Sequence, residues 1–276
     1  MVGFIDVGGG MRDIYGAGVT DCFQDKGILF DLCIGVSAGS ANIASFLSGQ
    51  RGRNYRFFCE YSSRKEYMSI RNMIKKGSYI DLDYIYSTLS DEGGEDPIDY
   101  DTLAASKSEF ITVATDAQTG DAVYFDKSNI MRNDLGLLKA SGAIPFVCKP
   151  INFNGKEYFD GGVADPLPIK KAFDMGCDKV VVIIPRPPAE KTREPEKLMS
   201  LLMRSYPNVL KKIINRPEIY NSGLKTVFDG VKNGSVILIA PDSDKGLNMI
   251  TTDRAKLDAY YKKGYDDALK AIPDIF

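Results

Sequence analysis

Ser37 lies in Gly35-Val36-Ser37-Ala38-Gly39, the Gly-x-Ser-x-Gly spacing of a nucleophile elbow, in a chain of 276 residues without a single histidine. A serine nucleophile usually hands its proton to a histidine, so either the spacing is accidental or another side chain is the base. Two further clusters bear on that choice. Gly8-Gly9-Gly10-Met11-Arg12 offers successive unobstructed N–H groups that can converge on an anion, as a developing oxyanion requires, and Arg12 adds a fixed positive charge. Asp160-Gly161-Gly162 presents a carboxylate with little steric cover, open to another side chain. Together they give a nucleophile at Ser37, a base at Asp160 and an oxyanion hole in the glycine loop. Taken singly, each has a plainer meaning: a tightly packed Gly/Ser turn, a dinucleotide-binding loop, an Asp-Gly turn. Against the dinucleotide reading, Asp13 stands at the third glycine position and Asp31 precedes the core of the second strand instead of following it.

Chemistry at Ser37 requires a strand before it and a buried helix after it. Leu32-Cys33-Ile34 is apolar enough to end a buried strand, and Ala38–Leu47 is apolar nearly all round and stops at Gly49. Candidate strands are Val2–Val7, Leu29–Ile34, Phe110–Ala114, Val180–Ile184 and Val236–Ala240, separated by stretches of helix length, which is the pattern of a mainly parallel α/β sheet. A small-residue helix is expected over Ile14–Lys26. Asn152-Phe153-Asn154-Gly155 predicts a hairpin turn leading into a short strand, Lys156–Phe159, that delivers Asp160.

Composition sets outer limits. With 44% hydrophobic and 26% charged residues and a net charge of -2, the chain reads as globular with a sizeable core, and the near-neutral balance argues against a general nucleic-acid binder. Cys22, Cys33, Cys59, Cys148 and Cys177 are odd in number and contain no Cys-x-x-Cys pair, which fits reduced, buried thiols of a cytoplasmic protein better than disulfides or a zinc site. The acidic residues lack EF-hand spacing, so no metal or other cofactor is expected. The start of the chain has no basic and apolar leader pattern, and no run of about 18 apolar residues occurs, so a cytoplasmic protein that spans no membrane is expected.

The three clusters, in that order, resemble the patatin-like phospholipase family: its glycine-rich oxyanion loop looks like Gly8–Arg12, its elbow like Gly35–Gly39 and its Asp-Gly-Gly motif like Asp160–Gly162. Similarity extends to Ala114-Thr115-Asp116, Thr119-Gly120, Ala140-Ser141-Gly142-Ala143-Ile144-Pro145 and Asp165-Pro166-Leu167-Pro168, over roughly residues 1–190. The resemblance implies a three-layer α/β/α fold and hydrolysis of glycerolipid esters by a Ser37–Asp160 dyad that needs no histidine. It assigns oxyanion contacts to the amides of Gly9, Gly10 and Met11, with Gly8 and Arg12 beside them, and motif roles to Gly35, Gly39, Gly161 and Gly162. A transacylase would use the same dyad with another acceptor, and a non-catalytic lipid-binding or scaffold protein would keep the glycine loops without reacting. Asp13 departs from the family, which usually has glycine there. Its expected role is to cap the Ile14–Lys26 helix, the alternative being to offset Arg12.

Residues 50–108 read as a helical cap insertion. Arg51, Arg53, Arg56, Arg64, Lys65, Arg71, Lys75 and Lys76 are interleaved with Tyr55, Phe57, Phe58, Tyr61 and Tyr67, a mixture suited to transient contact with an anionic membrane surface. The plainer alternative is a buried aromatic face with a basic exterior attracted to the acidic stretch Asp81–Asp101, which holds no Lys or Arg. Residues 191–276 are expected to pack on the core as an extension, with helical periodicity over Leu198–Ile214 and a closing helix over Asp253–Ile272. They are assigned no chemistry, and nothing in the sequence bears on oligomeric state.

Overall fold

A computed structural model describes residues 1–188, 203–243 and 246–275 of the chain. Its centre is one eight-stranded sheet. The strands are β1 (Val2–Asp6), β2 (Leu32–Val36), β3 (Glu109–Asp116), β4 (Ala122–Asp126), β5 (Ile151–Phe153), β6 (Lys156–Asp160), β7 (Lys179–Ile183) and β8 (Val236–Ile239). β8, β7, β1, β2 and β3 are parallel neighbours, whereas β4 and β6 run antiparallel to β3 and β5 pairs with β6. The parallel strands are near-continuous Val, Ile and Phe runs because both faces are covered, the condition under which such sheets occur. On β1, Phe4 packs to one side among Phe23, Phe30 and Phe46, and Ile5 to the other with Ile34, Val180 and Val182.

Helices fill both faces and complete three α/β/α layers. On the Phe4 side lie α1 (Ile14–Asp25), α2 (Ala38–Leu47) and the closing helix Arg254–Ala271, whose Tyr260 packs on Tyr15. On the Ile5 side lie α7 (Ile169–Asp174) and the helix Arg216–Asn233. Between α2 and β3 come three short helices, α3 (Arg53–Arg56), α4 (Ile70–Lys76) and α5 (Tyr100–Ala105), and two π-helical turns; α6 (Gly136–Ser141) lies between β4 and β5. Asn154 and Gly155 take φ of 49° and 78°, the left-handed pair a tight hairpin needs. All five cysteines are buried and unpaired.

Several boundaries and elements differ from the sequence expectation. β2 begins at Leu32 because Asp31 is used to bracket Val2, its amide donating to the Val2 carbonyl and its carboxylate accepting from the Val2 amide. β4, β5 and the helix Arg216–Asn233 were not anticipated. Of the Leu198–Ile214 stretch, residues 198–202 lie outside the described residues and the helix runs over Pro207–Ile214.

Within 50–108 the aromatics point inward: Phe57, Phe58, Tyr61 and Tyr67 are buried. Arg53 is also buried and shares Asp96 with Arg56, while Arg64 pairs with Glu95 and Lys76 with Asp81. The basic and acidic halves of the insertion therefore attract each other, and Arg51 is drawn to Asp25 on α1.

Candidate active site

The register of β3 brings the two proposed reacting groups together. β4 pairs with residues 111–115 on one edge of β3, so β2 and β6 share the other edge. β2 ends where Val36 faces Val113, and β6, coming from the opposite direction, ends where Asp160 faces the next residue, Ala114. Two strand ends thus meet head to head. Ser37 is the first residue beyond one of them and Asp160 the last residue of the other.

Ser37 has φ 56° and ψ -129°, a conformation that costs a serine about 1–3 kcal/mol and persists only where the surroundings enforce it. Here they do so from three sides. The Ser37 amide donates to Ser141 Oγ at 3.0 Å, Ser141 Oγ in turn lies 2.9 Å from Ser40 Oγ, and α2 starts immediately at Ala38. Gly8, at φ 66°, packs its backbone on the elbow so closely that a Cβ would overlap the Val36 carbonyl. Gly35 and Gly39 likewise leave room for α2 and for the end of β1, and Gly161 for the Val113 carbonyl.

Asp160 is held by main chain. Its amide donates to the Ala143 carbonyl at 2.9 Å, its carbonyl accepts from Thr115 Oγ1 at 2.8 Å, and its carboxylate accepts the Gly162 amide at 2.7 Å. The Ser37 hydroxyl also acts on this carboxylate, favouring its charged form. Ser37 is 8% exposed and Asp160 6%. Burial pushes the Asp160 carboxyl up to about 6, against the opposing pull of the Ser37 hydroxyl, the Gly162 amide and the positive charge of Arg216.

A family model for patatin-like phospholipases matches residues 7–173, a stretch containing Ser37, Asp160 and most of the sheet. The chain belongs to this family. Residues 206–276 match a second model, a domain of unknown function (DUF6363). The uncharacterized protein YjjU of Escherichia coli (strain K12) is 32% identical over 181 residues, 64% of this chain and 49% of that protein. Lysophospholipase NTE1 of Candida albicans is 23% identical over 290 residues, spanning 100% of this patatin-like chain and 20% of its own length. Among solved structures, VipD from Legionella pneumophila matches with a TM-score of 0.50 at 14% identity, over 98% of this chain and 66% of that one, a likeness of fold.

The glycine loop of this patatin-like site is less open than its sequence suggests. The Gly8 amide donates to Asp6 Oδ1 at 3.1 Å and the Met11 amide to the Met249 carbonyl at 3.1 Å, so both are already engaged. Of the expected oxyanion donors, Gly9 and Gly10 remain, with Arg12 half-buried beside them. Asp13 also departs from expectation. It occupies the N-cap position of α1 but makes no side-chain cap bond, and its fully buried carboxyl turns toward Asp6. Asn42 Nδ2 bridges the two, donating to Asp6 Oδ2 and Asp13 Oδ2 at 3.0 Å each. Burial raises Asp6 to about 6 and Asp13 well above the ordinary range, and the Asp6 charge lifts Asp13 further. Burial and the neighbouring Asp6 charge thus both favour the neutral carboxyl at Asp13.

Three contributors had no sequence signature. Arg216 Nε donates to the Gly162 carbonyl at 3.2 Å, Met249 closes on Gly10 and Met11, and Asn42 ties Asp6 to Asp13. Arg216 and Met249 come from the stretch matching the domain of unknown function. Only contact between distant segments reveals them.

Proposed function

We propose that this chain hydrolyses carboxylic esters of glycerolipids through an acyl-enzyme on Ser37, with Asp160 as the general base. The observation that carries the reading is the head-to-head meeting of β2 and β6, which sets the Ser37 hydroxyl against a buried carboxylate raised to about 6. Such a base is ionised at neutral pH yet basic enough to accept a proton in the transition state. Ser37 Oγ attacks the ester carbonyl as Asp160 takes its proton, and the Gly9 and Gly10 amides receive the developing oxyanion. Collapse expels the alcohol, which leaves with the proton from Asp160. Water then attacks the acyl-enzyme, gives its proton to Asp160, and the second collapse releases the acid as Ser37 recovers its hydrogen.

The fungal relative is a lysophospholipase, which makes single-chain phospholipids the first substrate class to try. The test is a panel of short acyl esters, lysophospholipids, phospholipids and triacylglycerols, run with wild type and Ser37→Ala. Turnover of at least one ester class by wild type and none by Ser37→Ala is expected. Equal turnover by both would end the proposal.

A further inference from the structure

Helix α4 is built inside out. In Ile70–Lys76 the residue facing the protein is Asn72, buried with its side chain donating to the Glu66 carbonyl, whereas Ile70 is 72% exposed, Ile74 79% and Met73 37%. Successive residues of a helix turn by about 100°, so positions 70, 73 and 74 form one outward apolar stripe. Exposed Arg71 and Lys75 lie along one side of it and Lys76 on the other. Lys65 and Lys149 are exposed as well, the latter lying across Gly77 at the end of the helix. Among the described residues, Lys65, Arg71, Lys75 and Lys149 form no ion pair, in contrast to Arg53, Arg56, Arg64 and Lys76. The only acid within the 65–76 stretch is Glu66.

We propose that α4 docks this protein on an anionic lipid surface, with Ile70, Met73 and Ile74 entering the headgroup boundary and Arg71, Lys75, Lys65 and Lys149 meeting lipid phosphates or carboxylates. An apolar stripe rimmed by unpaired cations on a chain of net charge -2 is complementary to such a surface. A single exposed stripe falls far short of the roughly 20–30 residues per side that a specific protein interface uses, which argues against a second copy as occupant. The assignment rests on the lipid-hydrolase reading for its choice of partner, and it replaces the inward-facing aromatics as the point of contact.

The helix is coupled to the site. The Tyr79 amide, just beyond α4, donates to the Val147 carbonyl at 2.6 Å, and the Lys149 amide donates to Ser78 Oγ at 3.0 Å. That partner segment starts at Ala143, whose carbonyl anchors Asp160, and follows Ser141, which anchors Ser37. Docking at α4 would bring the dyad's supporting loop to the lipid boundary.

The test is co-sedimentation of the full chain with phosphatidylcholine vesicles with and without phosphatidylserine. It uses the Ser37→Ala background so that hydrolysis cannot alter the vesicles. Binding is expected only when phosphatidylserine is present, and Ile70→Ser/Ile74→Ser or Arg71→Glu/Lys75→Glu should each weaken it by about tenfold or more. Both double variants should keep wild-type melting temperature and wild-type turnover of a soluble short-chain ester in the Ser37 form. Failure to bind phosphatidylserine vesicles, or undiminished binding by both variants, overturns the docking surface. Vesicle binding that depends on α4 in a protein inactive on every ester would sustain the docking surface and remove the hydrolase reading instead.

Discussion

Residues 1–188 and the described residues from 203 onward serve the site in different ways. The first region contains Ser37, Asp160 and the glycine loop, each in a short motif, because a strained turn or a strand end has to be made locally. The second contains no proposed reacting group, yet Arg216 reaches the Gly162 carbonyl and Met249 the Met11 amide, and the closing helix clamps α1 through Tyr260 on Tyr15 and Tyr261 on Asp21. One region holds the proposed reacting groups; the other touches the main chain around them.

The largest expected effects lie in the first region. Ser37→Ala and Asp160→Asn should each lower turnover of a soluble ester by about 10²–10⁴-fold or more, and the double variant should lose little beyond either single one because the two act in one step. Strictly multiplicative losses would separate the pair. Asp160→Asn should also be more stable than wild type above pH 6, by about 1–3 kcal/mol. The reason is that the folded pKa of about 6 lies above the ordinary 3.8. The folded state therefore holds a proton that the unfolded chain releases, and wild-type stability falls as pH rises between those values. Melting curves at pH 4 and pH 8 check this, the gain vanishing at the lower pH.

A smaller effect is expected from the second region. Arg216→Gln removes a positive charge that lowers the Asp160 pKa, so the acid limb of the rate profile should move to higher pH, with a loss of roughly threefold to tenfold at neutral pH. An unmoved limb would reduce that region to scaffolding. Asp13→Gly, which restores the usual family residue, should cost about 1–3 kcal/mol by removing the buried carboxyl that Asn42 and Asp6 both engage. Asp13→Asn keeps a donor and should cost less, as thermal melting will show. Met249→Ala should change least, within about 0.5 kcal/mol, because the contact is made by its main-chain carbonyl and its side chain is 40% exposed.

The sequence made the elbow, the Asn-Gly hairpin and the parallel strands legible because each depends on neighbours a few residues away. Helix α2 matches its expected Ala38–Leu47 bounds for that reason. β4 was missed because Ala122-Val123-Tyr124-Phe125 is a short apolar run that packs on both faces of the sheet, so it lacks the alternation of a one-sided strand. Asp13 was misread since a capping aspartate and a buried one look alike until α2 brings Asn42 across. The meeting of β2 and β6 depends on which edge of β3 β4 takes, and that is set by pairing over long range. Cations in the 50–108 segment could not be sorted into paired and unpaired without knowing where Asp96 and Glu95 fall.

The most direct test of the Ser37–Asp160 pairing is the rate of fluorophosphonate labelling as a function of pH, read by intact mass and peptide mapping. Modification of Ser37 alone, with a rate that rises through about pH 6 and then levels, is expected for wild type, while Asp160→Asn should label far more slowly with no such rise. Labelling at another residue, or an unchanged rate and profile in Asp160→Asn, would contradict the dyad.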